Sequence, residues 1–173
     1  TSQQINVDSA GIYEVRVVDD FGCENIARAI VRDVAAPDLR IVSPPGICPG
    51  DTAQLQIDTS YASISWSTGA TSPSLDITIP GVYQVSVTNT ANCVTTDSVD
   101  IAAFVNPVFN FLGDTVICEG ETARIALDRT FPGIQWSTGA MGITSIQVDS
   151  TTAYEVLVTN AEGCTTEGIR NIT

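Results

Sequence analysis

The residues with the clearest chemistry in this 173-residue chain are its five cysteines, Cys23, Cys48, Cys93, Cys118 and Cys164. Thiols in this number either pair as disulfides in an oxidising compartment or bind a metal. Metal sites commonly use cysteines spaced as CxxC, and no such spacing occurs here. The cysteines therefore predict disulfides, and with them a secreted, extracellular or cell-surface location.

Few residues are available for catalysis. The chain has no histidine, and all seven of its basic residues are arginine. This composition excludes a Ser–His–Asp triad, a Cys–His pair, a Schiff-base lysine and histidine-ligated zinc. Only carboxylate pairs remain, and no pattern marks one of them as a general acid with a raised pKa. The sequence predicts that the chain is not an enzyme.

Acidic residues dominate the charge, with 20 Asp and Glu and a net charge of −13. Such a surface disfavours nucleic acid and anionic lipid as partners. No apolar run reaches 18 residues, so no membrane insertion is expected. Convergent carboxylates could bind Ca²⁺, although no EF-hand or nonapeptide calcium motif is present. We expect no cofactor, with calcium as the one open alternative, at Asp19–Asp20, at Glu119 with Glu121, or at Asp97 with Asp100.

An internal repeat determines how these residues are positioned. The stretch Trp66–Ser67–Thr68–Gly69–Ala70 recurs unchanged 70 positions later, from Trp136 to Ala140. Tyrosine and cysteine positions recur in phase, at Tyr13, Tyr83 and Tyr154, at Cys48 and Cys118, and at Cys23, Cys93 and Cys164. Repeats of this length predict tandem structural modules. The predicted domains are the rear half of a module over 1–36 and two complete modules over 37–106 and 107–173.

Short proline-containing segments separate the modules, at Ala35–Ala36–Pro37 and at Asn106–Pro107. Proline fixes one backbone torsion, so these joints should be stiff and the modules should form a rod. Because the chain starts within a module, we expect it to be an excerpt of a longer polypeptide.

Apolar and polar residues alternate along short segments, as at Tyr13, Val15 and Val17. Period-two alternation predicts strands with one buried face. A first strand is expected at Leu39 to Val42, and a hairpin over residues 12–31. Short strands separated by frequent turns, with no helical periodicity, predict an all-β sandwich for each module. Trp66 and Trp136 are expected in the core.

The order of motifs also carries a family resemblance. Cys48–Pro49–Gly50–Asp51, then the Trp66 motif, then Pro80–Gly81–Val82–Tyr83 and Cys93 resemble the Ig-like, PKD-like repeats of very large secreted Bacteroidota surface proteins. Such proteins are similar to gliding-motility-associated adhesins exported by type IX secretion. In the third module Glu121 replaces Asp51, and Thr152–Ala153 replaces Pro80–Gly81. The resemblance implies tandem Ig-like β-sandwich modules of about 70 residues, and it specifies no activity.

Five Asp–Ser or Asp–Thr sites resemble the O-glycosylation signal of secreted Bacteroidota proteins. The resemblance implies that a sugar on these hydroxyls would make the chain a glycoprotein. The alternative is that Asp–Thr pairs simply open strands. The hydroxyl residues are Ser9, Thr52, Ser98, Thr115 and Ser150.

The phase of the repeat suggests a pairing for the cysteines. Each complete module has one cysteine before its second strand and one after its tyrosine strand, which predicts Cys48–Cys93 and Cys118–Cys164. Cys23 would then pair with a residue upstream of Thr1. Pairing across the module junctions, Cys23–Cys48 and Cys93–Cys118, is the alternative.

Exact repetition without a catalytic constellation predicts a structural stalk of adhesion repeats, with neighbouring modules of the same chain as partners. One alternative is recognition of a polysaccharide or another surface ligand by Tyr61 or Phe131, which precede the tryptophan strands. The other is homo-assembly into an extracellular filament, in which the hairpin over residues 12–31 accepts strands from another chain.

Overall fold

The fold is built from strands alone. The computed structural model describes residues 4–173, and no helix occurs among them. This confirms the prediction of an all-β chain. The fourteen strands are β1 Gly11–Val18, β2 Glu24–Val31, β3 Gly46–Ile47, β4 Ala53–Gln56, β5 Ser63–Trp66, β6 Ser74–Ile77, β7 Gly81–Thr88, β8 Val94–Ala103, β9 Phe111–Gly113, β10 Ala123–Leu127, β11 Gly133–Trp136, β12 Ser145–Val148, β13 Ala153–Thr159 and β14 Thr165–Asn171.

The strands of the last repeat form a two-sheet sandwich. One sheet has the order β12-β10-β9 and the other the order β11-β13-β14. Side chains from both sheets share one core, which includes Ile125, Ile146, Trp136 and Val156. Along the chain, the first, second and fourth strands of this repeat face the third, fifth and sixth. This is the immunoglobulin arrangement of strands A, B and E against strands C, F and G. The predicted Ig-like β-sandwich is therefore confirmed.

The preceding repeat has matching strand pairs. The β4 and β6 strands form one antiparallel pair, and a second sheet has the order β3-β8-β7-β5. The first strand expected at Leu39 to Val42 is wrong: only Val42 pairs, in a single bridge with Gln56. Pro44 and Pro45, two and three positions after Val42, keep the pairing from continuing along the chain, since proline cannot donate a backbone hydrogen bond.

The repeated tryptophan motif is a tight turn beside a buried ring. The Trp66 N–H donates to Ala70 O, and the Gly69 N–H donates to Trp66 O. Gly69 has φ +88°, a conformation that glycine adopts without steric cost. The Trp66 and Trp136 side chains are 2% and 1% exposed, as predicted, and each indole N–H donates to a backbone carbonyl.

The N-terminal hairpin differs from its counterparts in burial. Val15 and Val17 on β1 are 55% and 60% exposed, whereas their equivalents Val156 and Val158 on β13 are 1% and 0% exposed. Strand register in the hairpin is maintained by eight backbone pairs from Gly11–Val31 to Val18–Glu24. The hairpin over residues 12–31 thus forms as predicted, with its apolar face uncovered within the described chain.

The chain divides into two compact units. One contains Thr1–Arg40, of which residues 4–40 are described, together with Asp58–Pro73 and Gln84–Asp97. The other contains Ile41–Ile57, Ser74–Tyr83 and Ser98–Thr173. The module boundaries at residues 36 and 106 stay a prediction.

Candidate functional site

A disulfide joins Cys48 of the second repeat to Cys164 of the third. Their Cα atoms are 5.6 Å apart, across 116 positions of sequence. Both cysteines belong to the second compact unit. Cys164 is buried and Cys48 is half-buried, so the bond is shielded on the Cys164 side.

This bond corrects the predicted pairing. The expected bonds Cys48–Cys93 and Cys118–Cys164 are wrong, and so is the alternative of Cys23–Cys48 with Cys93–Cys118, because Cys23, Cys93 and Cys118 are free thiols. The repeat phase identified equivalent cysteines correctly but not their partners.

Strand direction explains why cysteines of one repeat do not pair. Cys118 shares a pocket with Asp149, Ser150 and Thr151, which lie just before β13 begins. Cys164 lies beyond the far end of β13, which is seven residues long. A strand of that length spans about 23 Å, whereas a disulfide needs Cα atoms within about 7 Å. The front and rear cysteines of the third repeat thus lie at opposite ends of its sandwich.

The cysteine-bearing turns have the same backbone structure in each repeat. The Asp51 N–H donates to Cys48 O over 3.1 Å, and the Glu121 N–H donates to Cys118 O over 3.0 Å. Gly50 and Gly120 both have positive φ, at +88° and +83°. The front cysteine is therefore presented in the same way in both complete repeats.

The rear cysteines lie at hairpin tips that share one polar residue. A side-chain oxygen of Asp19, Asn89 or Asn160 accepts the backbone N–H of the cysteine four positions later, Cys23, Cys93 or Cys164, over 2.8–3.0 Å. This side chain orients the tip in all three repeats.

The same asparagines also fix the inter-repeat linkers. The Asn89 Nδ2 donates to Ala35 O, and the Asn160 Nδ2 donates to Val105 O, both over 2.9 Å. Two threonines add a second bond, since Thr95 Oγ1 donates to Pro37 O and Thr166 Oγ1 donates to Pro107 O. Each linker is thus attached to the hairpin of the repeat that follows it.

The two aromatic residues considered for carbohydrate recognition have structural partners. The Tyr61 hydroxyl donates to Asp38 O over 2.5 Å. Partial burial raises the pKa of Tyr61, with a smaller contribution from the nearby carboxylates of Asp58 and Asp38. Phe131 packs edge-to-face on Phe109, with ring centroids 6.1 Å apart. Both rings are half-buried, so neither is a free stacking platform.

The five candidate glycosylation residues, Ser9, Thr52, Ser98, Thr115 and Ser150, are all exposed. Exposure is necessary for modification but does not establish it, so glycosylation stays a prediction. Two of these residues also have a backbone role, because Ser9 O and Ser150 O accept the hydroxyls of Tyr13 and Tyr154.

The acidic residues considered for calcium do not converge. Across residues 4–173, no three carboxylate or thiol side chains come together as a metal site. Asp19 Oδ1 instead accepts the backbone N–H groups of Phe21 and Cys23.

One carboxylate has a strongly shifted pKa. Asp128 accepts the backbone and side-chain N–H groups of Asn110, at 3.0 and 2.9 Å, and contacts Arg129. The backbone bond, followed by the two side-chain bonds, lowers the pKa of Asp128 to about 2. The Asp128 N–H returns a bond to Asn110 O, so this residue joins the end of β10 to the segment before β9.

Sequence comparison identifies no family model and no curated protein that matches this chain. Among solved structures, murine CEACAM1b is similar over 79% of this chain and 99% of its own length, at 12% identity and a TM-score of 0.38. A Bacteroides ovatus surface protein, SGBP-B of a mixed-linkage glucan utilization locus in complex with a heptasaccharide, is similar over 95% of this chain at 16% identity and a TM-score of 0.26. The chain spans about half (53%) of that protein. At these scores neither likeness indicates a ligand or an activity.

The described residues contain no helix that is long and apolar enough to span a membrane.

Proposed function

We propose that this chain is a mechanical spacer in a large secreted bacterial surface protein, a stalk of Ig-like modules without catalytic activity. The observation that carries the proposal is the Cys48–Cys164 disulfide, which closes a 116-position loop across two repeats. Disulfides of this kind persist in oxidising compartments, which supports an extracellular or cell-surface location.

The position of the bond determines how the chain would carry tension. A pull on the two termini reaches Cys48 and Cys164 and passes through the covalent bond between them. Strands β4 to β13 lie inside the closed loop, so they are not in the load path. Even if the sandwiches opened, the loop could not lengthen the molecule while the bond is intact.

The linkers add a second mechanical element. Asn89 with Thr95, and Asn160 with Thr166, attach the linker carbonyls of Ala35, Pro37, Val105 and Pro107 to folded hairpins. These bonds restrain the linkers, as a spacer requires. Carbohydrate recognition has less support, because the hydroxyl of Tyr61 and the ring of Phe131 are used within the fold.

Single-molecule pulling from the two termini tests the proposal. An extended chain spans about 3.4 Å per residue, so the closed loop hides roughly 390 Å of length. We expect the oxidised protein to lack this extension and the reduced protein to gain it. A Cys93→Ser variant is the matched control and should behave as the parent. Full extension of the oxidised protein would refute the spacer mechanism.

A further inference from the structure

We propose that the surface around Cys118 is a docking site for the β1–β2 hairpin tip of a second copy of this chain, closed by a disulfide between Cys118 and Cys23 of that copy. The inference goes beyond the spacer function, because it assigns an assembly contact and its chemistry. It rests on three observations. One contact of this kind is already formed within the chain, between Cys48 and Cys164. The Cys118 turn and the β1–β2 hairpin tip each have the structure of one side, or half, of that contact.

The formed example is the seating of the third-repeat hairpin beside Cys48. The hairpin residues Glu162 and Gly163 line a pocket of about 470 Å³ together with Cys48, Asp51 and Phe104. The adjacent Cys164 completes the contact through the disulfide. A front-cysteine turn of one repeat therefore receives the hairpin tip of another repeat.

The first unpaired half is the turn at Cys118. It has the hydrogen bond and the positive-φ glycine of the Cys48 turn, as described above. Cys118 is exposed and carries a free thiol. It borders an open pocket of about 550 Å³ with Glu119, Gly120 and Ser150, and no hairpin tip of the described chain lines this pocket.

The second unpaired half is the β1–β2 hairpin tip. The Asp19 N–H donates to Cys23 O and the Gly22 N–H donates to Asp19 O, each over 3.0 Å, and the Asn160–Cys164 tip has the same two bonds. Gly22 and Gly163 have φ of +83° and +88°. These shared features show that the β1–β2 tip already has the backbone conformation of the seated tip. Its Cys23 is exposed and free.

The residue at the apex of this tip, Phe21, favours docking of the tip against a partner surface. Phe21 occupies the position equivalent to Glu162, which lines the pocket beside Cys48. Phe21 is 93% exposed, the highest value among the exposed large hydrophobic side chains of the described chain. Docking at Cys118 would bury this ring, and burial of an aromatic ring is favourable.

Cys23 fits this role better than Cys93, the other free rear cysteine. Cys93 is half-buried, and its Sγ lies 3.7 Å from Val34 O in the linker that its own hairpin holds. Within residues 4–173 no such contact is found for Cys23, and Asp19 has a carboxylate where Asn89 has the amide that donates to a linker carbonyl.

Two copies joined in this way use different surfaces, the Cys118 side of one and the Cys23 side of the other. A heterologous contact that does not close on itself produces an open chain of subunits. The expected product is therefore a series of disulfide-linked oligomers of increasing length rather than a single closed dimer.

Bond formation removes two protons and two electrons from the two thiols, and oxidised glutathione accepts them. The Cys118 thiolate attacks glutathione disulfide, which gives a mixed disulfide and releases one glutathione thiolate. The Cys23 thiolate of the second copy then attacks the Cys118 sulfur and releases the second glutathione. The balance is one glutathione disulfide consumed and two glutathione thiols formed.

The test incubates the full chain, with Cys48–Cys164 intact, in a glutathione redox buffer at high protein concentration. Non-reducing electrophoresis should show a ladder, and peptide mapping of a mixture of isotope-labelled and unlabelled protein should identify a Cys118–Cys23 peptide with one label on each side. Glu119 and Asp149 line the Cys118 pocket, and the incoming tip carries Asp19 and Asp20. Docking would bring these like charges together, so added salt should accelerate the reaction.

Variants separate docking from random thiol oxidation. Cys118→Ser and Cys23→Ser should each abolish the ladder, and Cys93→Ser should preserve it. Phe21→Ser retains both thiols but should slow cross-linking about tenfold. The proposal is overturned if the protein stays monomeric or if the Cys118–Cys23 bond forms within one copy. It is also overturned if the oligomers are linked through Cys93 or through two like cysteines, or if Phe21→Ser cross-links at an unchanged rate. Detection of the Cys48–Cys164 peptide in every sample verifies folding.

Discussion

Three tyrosines, one per repeat, close the turn before a long strand through their hydroxyl groups. Tyr13, Tyr83 and Tyr154 donate to the backbone carbonyl four positions earlier, over 2.8, 2.6 and 3.2 Å. This is the tyrosine corner of Ig-like sandwiches. The sequence alignment of the repeats located these residues but assigned them only to the inward face of a strand.

The tyrosine hydroxyl should stabilise a complete sandwich. We expect Tyr154→Phe to lower the free energy of unfolding by about 1 kcal/mol, since it deletes one hydrogen bond and leaves the Ser150 carbonyl without this donor. Urea denaturation measures the change. Tyr13→Phe is the matched control on the uncovered hairpin and should alter the global transition little. An equal effect of both substitutions would argue against a sandwich-specific role.

Asp128 should make stability sensitive to acid. Its folded pKa of about 2 lies below the usual value, so the contribution of its bonds to Asn110 is complete above the unfolded pKa. That contribution should disappear as the pH falls from about 4 to about 2. Thermal unfolding across this range should show a steeper loss for the parent than for Asp128→Asn. Asn110→Ala, which removes one donor, should give an intermediate slope; identical slopes in all three would contradict the assignment.

At the scale of elements, alternation predicted most of the strands, because one face of most sandwich strands is buried. Tyr154, Val156 and Val158 are all at most 7% exposed, as a period-two pattern requires. The strand predicted at Leu39 to Val42 did not form, because alternation carries no information on whether a partner strand is within reach. The predicted cysteine pairing was wrong for a related reason. The repeat phase shows which cysteines are equivalent, whereas pairing depends on which end of the sandwich each cysteine occupies.

The sequence did contain the information needed to correct the cysteine pairing. In an Ig-like sandwich the turn before strand B, here β10, and the turn after strand F, here β13, lie at opposite ends. Cys118 precedes β10 and Cys164 follows β13, so the fold prediction already excluded a bond between them. The linker bonds of Asn160 and Thr166 had no such signal, because their acceptors are backbone carbonyls.

The bond from Asn160 to the linker should be separable from its bond within the hairpin. Asn160→Asp retains the oxygen that accepts the Cys164 N–H but loses the donor to Val105 O, as in the natural case of Asp19. We expect faster amide hydrogen exchange in residues 104–108, with a global destabilisation of about 1 kcal/mol. Asn160→Ala removes both bonds and should also perturb exchange at the hairpin tip. Unchanged linker exchange in Asn160→Asp would show that the side chain does not restrain the linker.

At the scale of the whole molecule, one covalent bond links positions 116 residues apart, and three thiols remain free. Loop closure of that length reduces the entropy of the unfolded chain, which is worth about 5 kcal/mol on the chain-entropy model. Each module of about 70 residues has only a small core of its own. The bond should therefore contribute a large share of the total stability.

Serine substitutions can measure the contribution of the disulfide to the free energy of unfolding, with matched controls in the same chain. Cys48→Ser should lower the free energy of unfolding by about 5 kcal/mol, and the addition of a reductant to the parent should have a similar effect. Cys118→Ser alters the equivalent turn without breaking a bond and should leave stability nearly unchanged. Cys164→Ser should cost slightly more than Cys48→Ser, because it also places a hydroxyl at a buried position. If Cys118→Ser were as destabilising as Cys48→Ser, the stabilisation would come from the turn and not from closure of the loop.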